Sequence, residues 1–178
     1  DKHIVLGNRS ELINILKKEN IFGGVIGIGD NFVRLGVKNE ITSLMPNFNF
    51  INCIHPSAIY SESVKFGEGN TIMAGAIINS STVIMNHCII NTNSSLEHDC
   101  VIENFSSIGP GASIGGNVRL GKYSSIGIGA NIFNDIDVGE NCLIGGGSVV
   151  NKNTKNNSIY FGVPAKYIRD HTLGKKYL

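Results

Sequence analysis

From Ile54 to Val150 every sixth residue is apolar: Ile54, Tyr60, Phe66, Ile72 and onward through Ile144 and Val150, seventeen positions without a miss. With 42% apolar residues in the chain, such a run is on the order of one in a million by chance. A helix repeats every 3.6 residues and a strand every 2, so neither gives a period of six. Short strands separated by tight turns do, and hexapeptide periods mark parallel β-helices. Two residues before each apolar position the side chain is usually small, as at Ala76, Cys88, Ser94, Cys100, Ser106 and Ala112. Three hexads make one coil of 18 residues. The aliphatic points into a three-sided prism and the small residue sits beside it where the corner narrows. Coils stacked at the ~4.8 Å strand spacing give between five and six turns, with Ile90, Ile108, Ile126 and Ile144 in one internal column.

Composition agrees. The chain has 178 residues, with 26 Ile and 12 Val against 10 Leu, a β-branched excess that favours strand. Gly and Asn contribute 22 each, and both tolerate the positive φ of tight turns. Net charge is +1, which gives no reason to expect nucleic acid. No apolar run approaches the ~20 residues of a membrane span. The segment DKHIVLGNRSEL lacks the order of a signal peptide, and the four cysteines form no framework. A cytoplasmic chain with reduced thiols is expected, with no membrane partner. Cys88, Cys100 and Cys142 fall at the small internal phase and read as structural.

Residues 1–52 follow another rule and read as a partial α/β unit that begins in mid-domain. Ser10 is expected to cap a helix through ELINILKKE. Gly23–Gly29 reads as a short buried strand. Asp30 or Asn31 caps a helix to about Leu44, and another strand follows near Asn49. Residues 53–160 form the β-helix. Residues 161–178 carry the GVPAK segment and a short helix.

Of the five histidines, His3 and His171 read as surface groups, His55 as structural and His87 as a turn residue. His98 differs. It lies between Glu97 and Asp99 on a prism corner, with Ser80, Gly116 and Asn134 in the same column. Gly116 leaves room beside the imidazole. An imidazole that titrates near neutrality suits general base catalysis, and an adjacent carboxylate fixes its tautomer. Sequence adjacency leaves open whether Asp99 or Glu97 reaches it.

The hexads IGPGAS, LGKYSS and IGGGSV, the segment NTNSSLEHDCVIENFSSIGPGASIGGNVRLG and the terminal FGVPAKYIR resemble the bacterial nucleotide-sugar acetyltransferases. These include sialic-acid O-acetyltransferases and N-acetyltransferases of UDP- or GDP-linked 4-amino sugars. The resemblance implies a left-handed β-helix and an acetyl-CoA-dependent transfer to the amino or hydroxyl group of a nucleotide-linked sugar in surface-glycan biosynthesis. It implies direct transfer with no serine or cysteine nucleophile and no metal, the oxyanion held by a backbone N–H. It makes His98 the base and gives the orienting role to Asp99. It places the coenzyme between two prisms of a homotrimer, against Ser107, Gly116, Ile128 and Gly146. Ser107 stands where some relatives have a second histidine. Lys166, Arg169, Lys175 and Lys176 are candidates for the coenzyme phosphates. Gly29, Asp30, Asn31 and Asp1 match the sugar-nucleotide site. Apolar exterior residues such as Ile59, Ile77, Val83, Ile89 and Val101 suit a subunit interface.

Rival readings are weaker. A zinc carbonic anhydrase on this fold needs three histidines with an H-x-x-x-x-H pair, which the sequence lacks. A non-catalytic scaffold does not require Glu-His-Asp. A different small acceptor, such as serine or a free sugar, is the nearest alternative.

Overall fold

The structure, a computed structural model, describes residues 3–175. The hexads fold as their period requires. Seventeen two-residue strands run from Cys53–Ile54 to Val149–Val150, and each ends on one of the periodic apolar residues. They stack into three walls. The first runs from Ile59–Tyr60 to Val149–Val150 in six strands, and the second from Lys65–Phe66 to Asp137–Val138 in five. The third runs from Cys53–Ile54 to Leu143–Ile144 in six. Every pairing within a wall is parallel at a register of 18, as in Ile90↔Ile108 and Ile108↔Ile126.

The prism interior is closed to solvent. Ile84, Ile90, Leu96, Ile102, Ile108 and Ile144 are each 0% exposed. Each buried aliphatic contributes roughly 1.5–3 kcal/mol. The small internal phase carries a second duty, because corner carbonyls turned inward need donors. Ser106 Oγ donates to the Gly121 carbonyl at 2.8 Å, Thr82 Oγ1 to Glu97 at 2.9 Å and Cys100 Sγ to Gly115 at 3.2 Å.

The corners are built on one repeated dihedral. From Gly69 to Gly147 the third residue after each internal aliphatic has positive φ, at every sixth position. Gly, Asn and Asp hold most of these places, as expected for the left-handed region. Three are held by aromatic rings: His87, Phe105 and Tyr123. They are 18 apart and stack, His87 on Phe105 with ring centroids 4.8 Å apart and Phe105 on Tyr123 at 6.1 Å.

This ladder receives the N-terminal unit. That unit comprises α1 (Leu12–Lys18), β1 (Gly23–Gly24), α2 (Asn31–Leu44) and β2 (Asn49–Phe50), with β1 parallel to β2. Its core is Ile26, Val37, Ile41 and Phe50. Asn8, not Ser10, caps the first helical turn, and the Ser10 hydroxyl donates to Asn8 Oδ1 instead. The strand expected over 23–29 is paired only at Gly23–Gly24. Asp30 caps α2 through the amides of Phe32 and Val33. Arg34, 1% exposed, joins the unit to the solenoid: Nε donates to the His87 carbonyl at 2.9 Å and Nη1 to Ile28 at 2.7 Å.

The chain end differs from expectation. Residues Ala165–Asp170 form a strand, not a helix, and pair antiparallel with Ser158–Gly162 to extend the third wall. The wall's last strand offers free carbonyls and amides that a hairpin satisfies and a helix does not. His171, expected on the surface, is buried, with Nδ1 3.2 Å from the Asn141 carbonyl. Among the described residues no helix is long and apolar enough to cross a membrane.

Candidate active site

His98 stands on the corner between the first and second walls, between strands Ser95–Leu96 and Val101–Ile102. Both neighbouring coils fix its backbone. The Asn117 N–H donates to the His98 carbonyl at 2.9 Å, and the Asp99 N–H to Ser80 at 2.9 Å. Asp99 is one of the positive-φ corner residues, with φ 59. In that conformation its Oδ2 lies 2.8 Å from His98 Nδ1. A neutral imidazole paired this way carries its proton on Nδ1 and leaves Nε2 as an acceptor. Glu97 points elsewhere, its Oε2 accepting from Asn79 Nδ2 at 2.9 Å. The structure thus separates the two carboxylates that adjacency alone left equivalent.

The imidazole lies over Gly116. A β-carbon there would come within 2.7 Å of His98 Cε1 and Nε2. Beyond Gly116 the corner is roofed by Asn134 and Asp135. The Asp135 carboxylate accepts from Asn117 Nδ2 at 2.8 Å and from Asn134 Nδ2 at 2.6 Å. These two amides, Asn117 first, hold its carboxyl below the usual carboxylate range, and His98 acts in the same direction. Sequence reading missed Asp135, although its place 36 residues past Asp99, in the same column, was available as a signal.

A second cluster lies on the third wall. Ser107, Ile128 and Gly146 line a groove of about 460 Å³ together with Gly29, Leu143 and Phe161. Ile128 is 67% exposed and presents an apolar flank. The groove brings the coenzyme candidates Ser107, Ile128 and Gly146 to the sugar-nucleotide candidate Gly29. It does not include Gly116, which belongs to the His98 corner. Within one chain the expected site is therefore divided between two corners.

The rest of the expected sugar-nucleotide set is used otherwise. The Asp30 carboxylate is occupied by the first amides of α2. Asn31 is buried, and its Nδ2 donates to Ser124 O at 3.1 Å and Ser125 Oγ at 2.9 Å. Asp30 thus starts α2, and Asn31 ties the N-terminal unit to the solenoid, so each side chain already carries a structural contact. Asp1 and Lys176 lie outside the described residues. Lys166 and Arg169 are exposed on the terminal hairpin.

Three cysteines and His87 are withdrawn from nucleophilic and base chemistry. Burial pushes the Cys88 thiol up to about 12 and raises those of Cys100 and Cys142, which makes all three poor nucleophiles. His87 is 1% exposed, and neither ring nitrogen has a hydrogen-bond partner among the described residues. Burial first, then the charges of Lys38 and Arg34, lower its pKa to about 4. It is a packing residue. Among the described residues no group of three His, Cys, Asp or Glu is placed to hold a metal ion.

No protein-family model matches the chain. Solved structures do. A histidine-to-alanine variant of GDP-perosamine N-acetyltransferase from Caulobacter crescentus, in complex with CoA and GDP-perosamine, is 32% identical with a TM-score of 0.88, over 93% of this chain and 78% of that one. The acetyltransferase domain of PglB from Neisseria gonorrhoeae is also 32% identical, with a TM-score of 0.88 over 94% of this chain and 80% of that one. WeeI from Acinetobacter baumannii AYE, 24% identical with a TM-score of 0.78 over 82% and 70%, shares the fold. The coil is accordingly the left-handed β-helix.

Proposed function

Because the chain belongs to the bacterial nucleotide-sugar acetyltransferases of the hexapeptide-repeat family, we propose that it moves the acetyl group of acetyl-CoA onto the amino group of a nucleotide-linked sugar, with His98 as general base. Two solved relatives fit this chemistry, one holding CoA with GDP-perosamine and one holding acetyl coenzyme A. The observation that carries the assignment is the pair His98 Nδ1–Asp99 Oδ2 at 2.8 Å, with the opposite ring nitrogen over the space left by Gly116. Asp99 holds the tautomer and Nε2 accepts the proton of the attacking acceptor. The coenzyme supplies the activated acetyl group. The groove at Ser107, Ile128 and Gly146 suits its pantetheine arm in apolar character, and Ser107 Oγ, 3.1 Å from Ser125 Oγ, offers a hydroxyl for hydrogen bonding there.

The active unit is a homotrimer in this reading. Two features favour it. The His98 corner and the groove lie on different corners of one prism, and a neighbouring prism brings the corner of one chain to the groove of the next. Ile59 and Ile77 on the first wall are 66% and 41% exposed, an apolar stripe that calls for a covering surface. Light scattering is expected to give three chains per particle at micromolar concentration. A monomer that retains full activity would refute the shared site. The cytoplasm, where nucleotide sugars and acetyl-CoA are made, is the proposed location.

The test of function is release of free thiol from acetyl-CoA across a panel of acceptors: nucleotide-linked amino sugars including GDP-perosamine, their hydroxyl counterparts, serine and free amino sugars. Turnover confined to nucleotide-linked amino sugars is expected. Turnover confined to serine or free sugars, or to none of the panel, would overturn the reading.

A further inference from the structure

Besides Glu97, which is turned to Asn79, two carboxylates stand at the corner that carries His98, and only one is committed to the imidazole. Asp99 binds Nδ1. Asp135 lies two coils further along the same positive-φ column. Its backbone N–H donates to the Gly116 carbonyl at 3.0 Å. It is thus seated next to the residue whose missing β-carbon makes room for the ring. Each carboxylate oxygen accepts one carboxamide N–H, from Asn117 and from Asn134. Those two bonds fix the orientation of the group. A carboxylate has about four lone-pair sites, so half of its accepting capacity is still available, and the residue is exposed.

We propose that Asp135 is a specificity-determining residue: it accepts an N–H of the acceptor's amino group beside His98 and so selects an amine over a hydroxyl. This rests on the acetyltransferase reading above and adds the residue that enforces the amine as acceptor. In the transfer, the acceptor nitrogen bonds to the acetyl carbon and the carbon–sulfur bond breaks. One nitrogen proton passes to His98 Nε2 and then to the departing sulfur, leaving an amide and a free thiol. A primary amine keeps a second N–H throughout. Donated to Asp135, that N–H turns the nitrogen lone pair toward the acetyl carbon. The step starts from the neutral amine; an acceptor that arrives as an ammonium is attracted by the carboxylate and first gives up one proton to solvent. A hydroxyl has a single proton, and His98 requires it. Its oxygen then faces Asp135 with lone pairs only, an unmatched polar contact of the kind that sites built for hydrogen bonding reject.

The experiment compares Asp135→Asn and Asp135→Ser with wild type. The acceptors are the amino-sugar nucleotide that the wild type turns over best in the panel above and the same nucleotide sugar with a hydroxyl in place of the amine. Wild type is expected to prefer the amine. Both variants are expected to reduce the ratio of kcat/KM for amine over hydroxyl by roughly tenfold or more, chiefly through a higher KM for the amine. Affinity for CoA alone stays at the wild-type value in both variants, and Asp135→Asn, which suits the positive φ of this corner, also keeps the melting temperature, which separates recognition from folding. A ratio within twofold of wild type overturns the proposal. So does a fall in kcat that is equal for both acceptors, since that outcome places Asp135 behind His98 and not beside the acceptor. Failure of the wild type itself to use any amino-sugar nucleotide strikes the functional reading first, and is seen before a variant is made.

Discussion

The imidazole of His98 occupies the place of a side chain that Gly116 does not have: a β-carbon on Gly116 would stand 2.7 Å from both Cε1 and Nε2 of the ring. The glycine is not there for its backbone, since its φ is not among the positive ones. It is there for space, one coil above the base.

That relationship separates fold from chemistry. Gly116→Ala suits the corner backbone, and the ring it would strike is exposed and free to swing outward. Melting temperature is therefore expected to move by no more than about 2 °C. The displaced ring loses its alignment, and kcat/KM is expected to fall on the order of 10²-fold. Thermal melts alongside steady-state kinetics check both halves. A variant as active as wild type would mean that the ring works from another rotamer.

The two carboxylates flanking His98 are expected to behave differently. Asp99→Asn removes the charge that orients Nδ1, and kcat should drop by roughly 10–10³-fold. Glu97→Gln keeps its contact with Asn79 and should stay within about threefold of wild type by the same reasoning. Kinetics at saturating acceptor rank them. The reverse order would reassign the orienting role.

His87 gives the fold a dependence on pH. Its folded pKa, about 4, lies below the ordinary 6.5, so the unfolded chain takes up the proton first. Its contribution is fully present above pH 6.5 and is lost as pH falls toward 4. At ~1.4 kcal/mol per pKa unit the loss is of order 3 kcal/mol. Neither ring nitrogen is hydrogen-bonded among the described residues, so His87→Phe sacrifices no bond and keeps the stack on Phe105. Urea melts at pH 7 and pH 4.5 should show the variant close to wild type at the higher pH and more stable than wild type at the lower. Parallel pH profiles for the two proteins would remove His87 from the account.

The solenoid was legible because its constraint is periodic. One apolar residue per hexad suffices to set the walls, the register of 18 and the interior column through Ile108. The corner phase was equally legible in principle, since Gly, Asn and Asp recur there, yet the aromatic occupants His87, Phe105 and Tyr123 conceal it. Those three also explain why the docking of the N-terminal unit was not legible although its two helices were: it docks on a stack of corner rings and on backbone carbonyls, through Arg34 and Asn31, and carbonyls have no signature in sequence. That His98 stands on a corner beside Gly116 was legible from the 18-residue column. The choice of Asp99 over Glu97 was not, because it depends on the sign of φ at residue 99. The terminal strand read as a helix because short basic-apolar segments fit both, and only the open edge of the third wall decides between them.

The central claim is that His98 removes the acceptor's proton, and His98→Ala tests it most directly. With acetyl-CoA and acceptor saturating, kcat is expected to fall by roughly 10²–10⁴-fold while the affinity for CoA stays at the wild-type value, because a proton transfer is lost and no binding contact with the coenzyme is. A variant that turns over within threefold of wild type would make His98 a surface histidine and contradict the account.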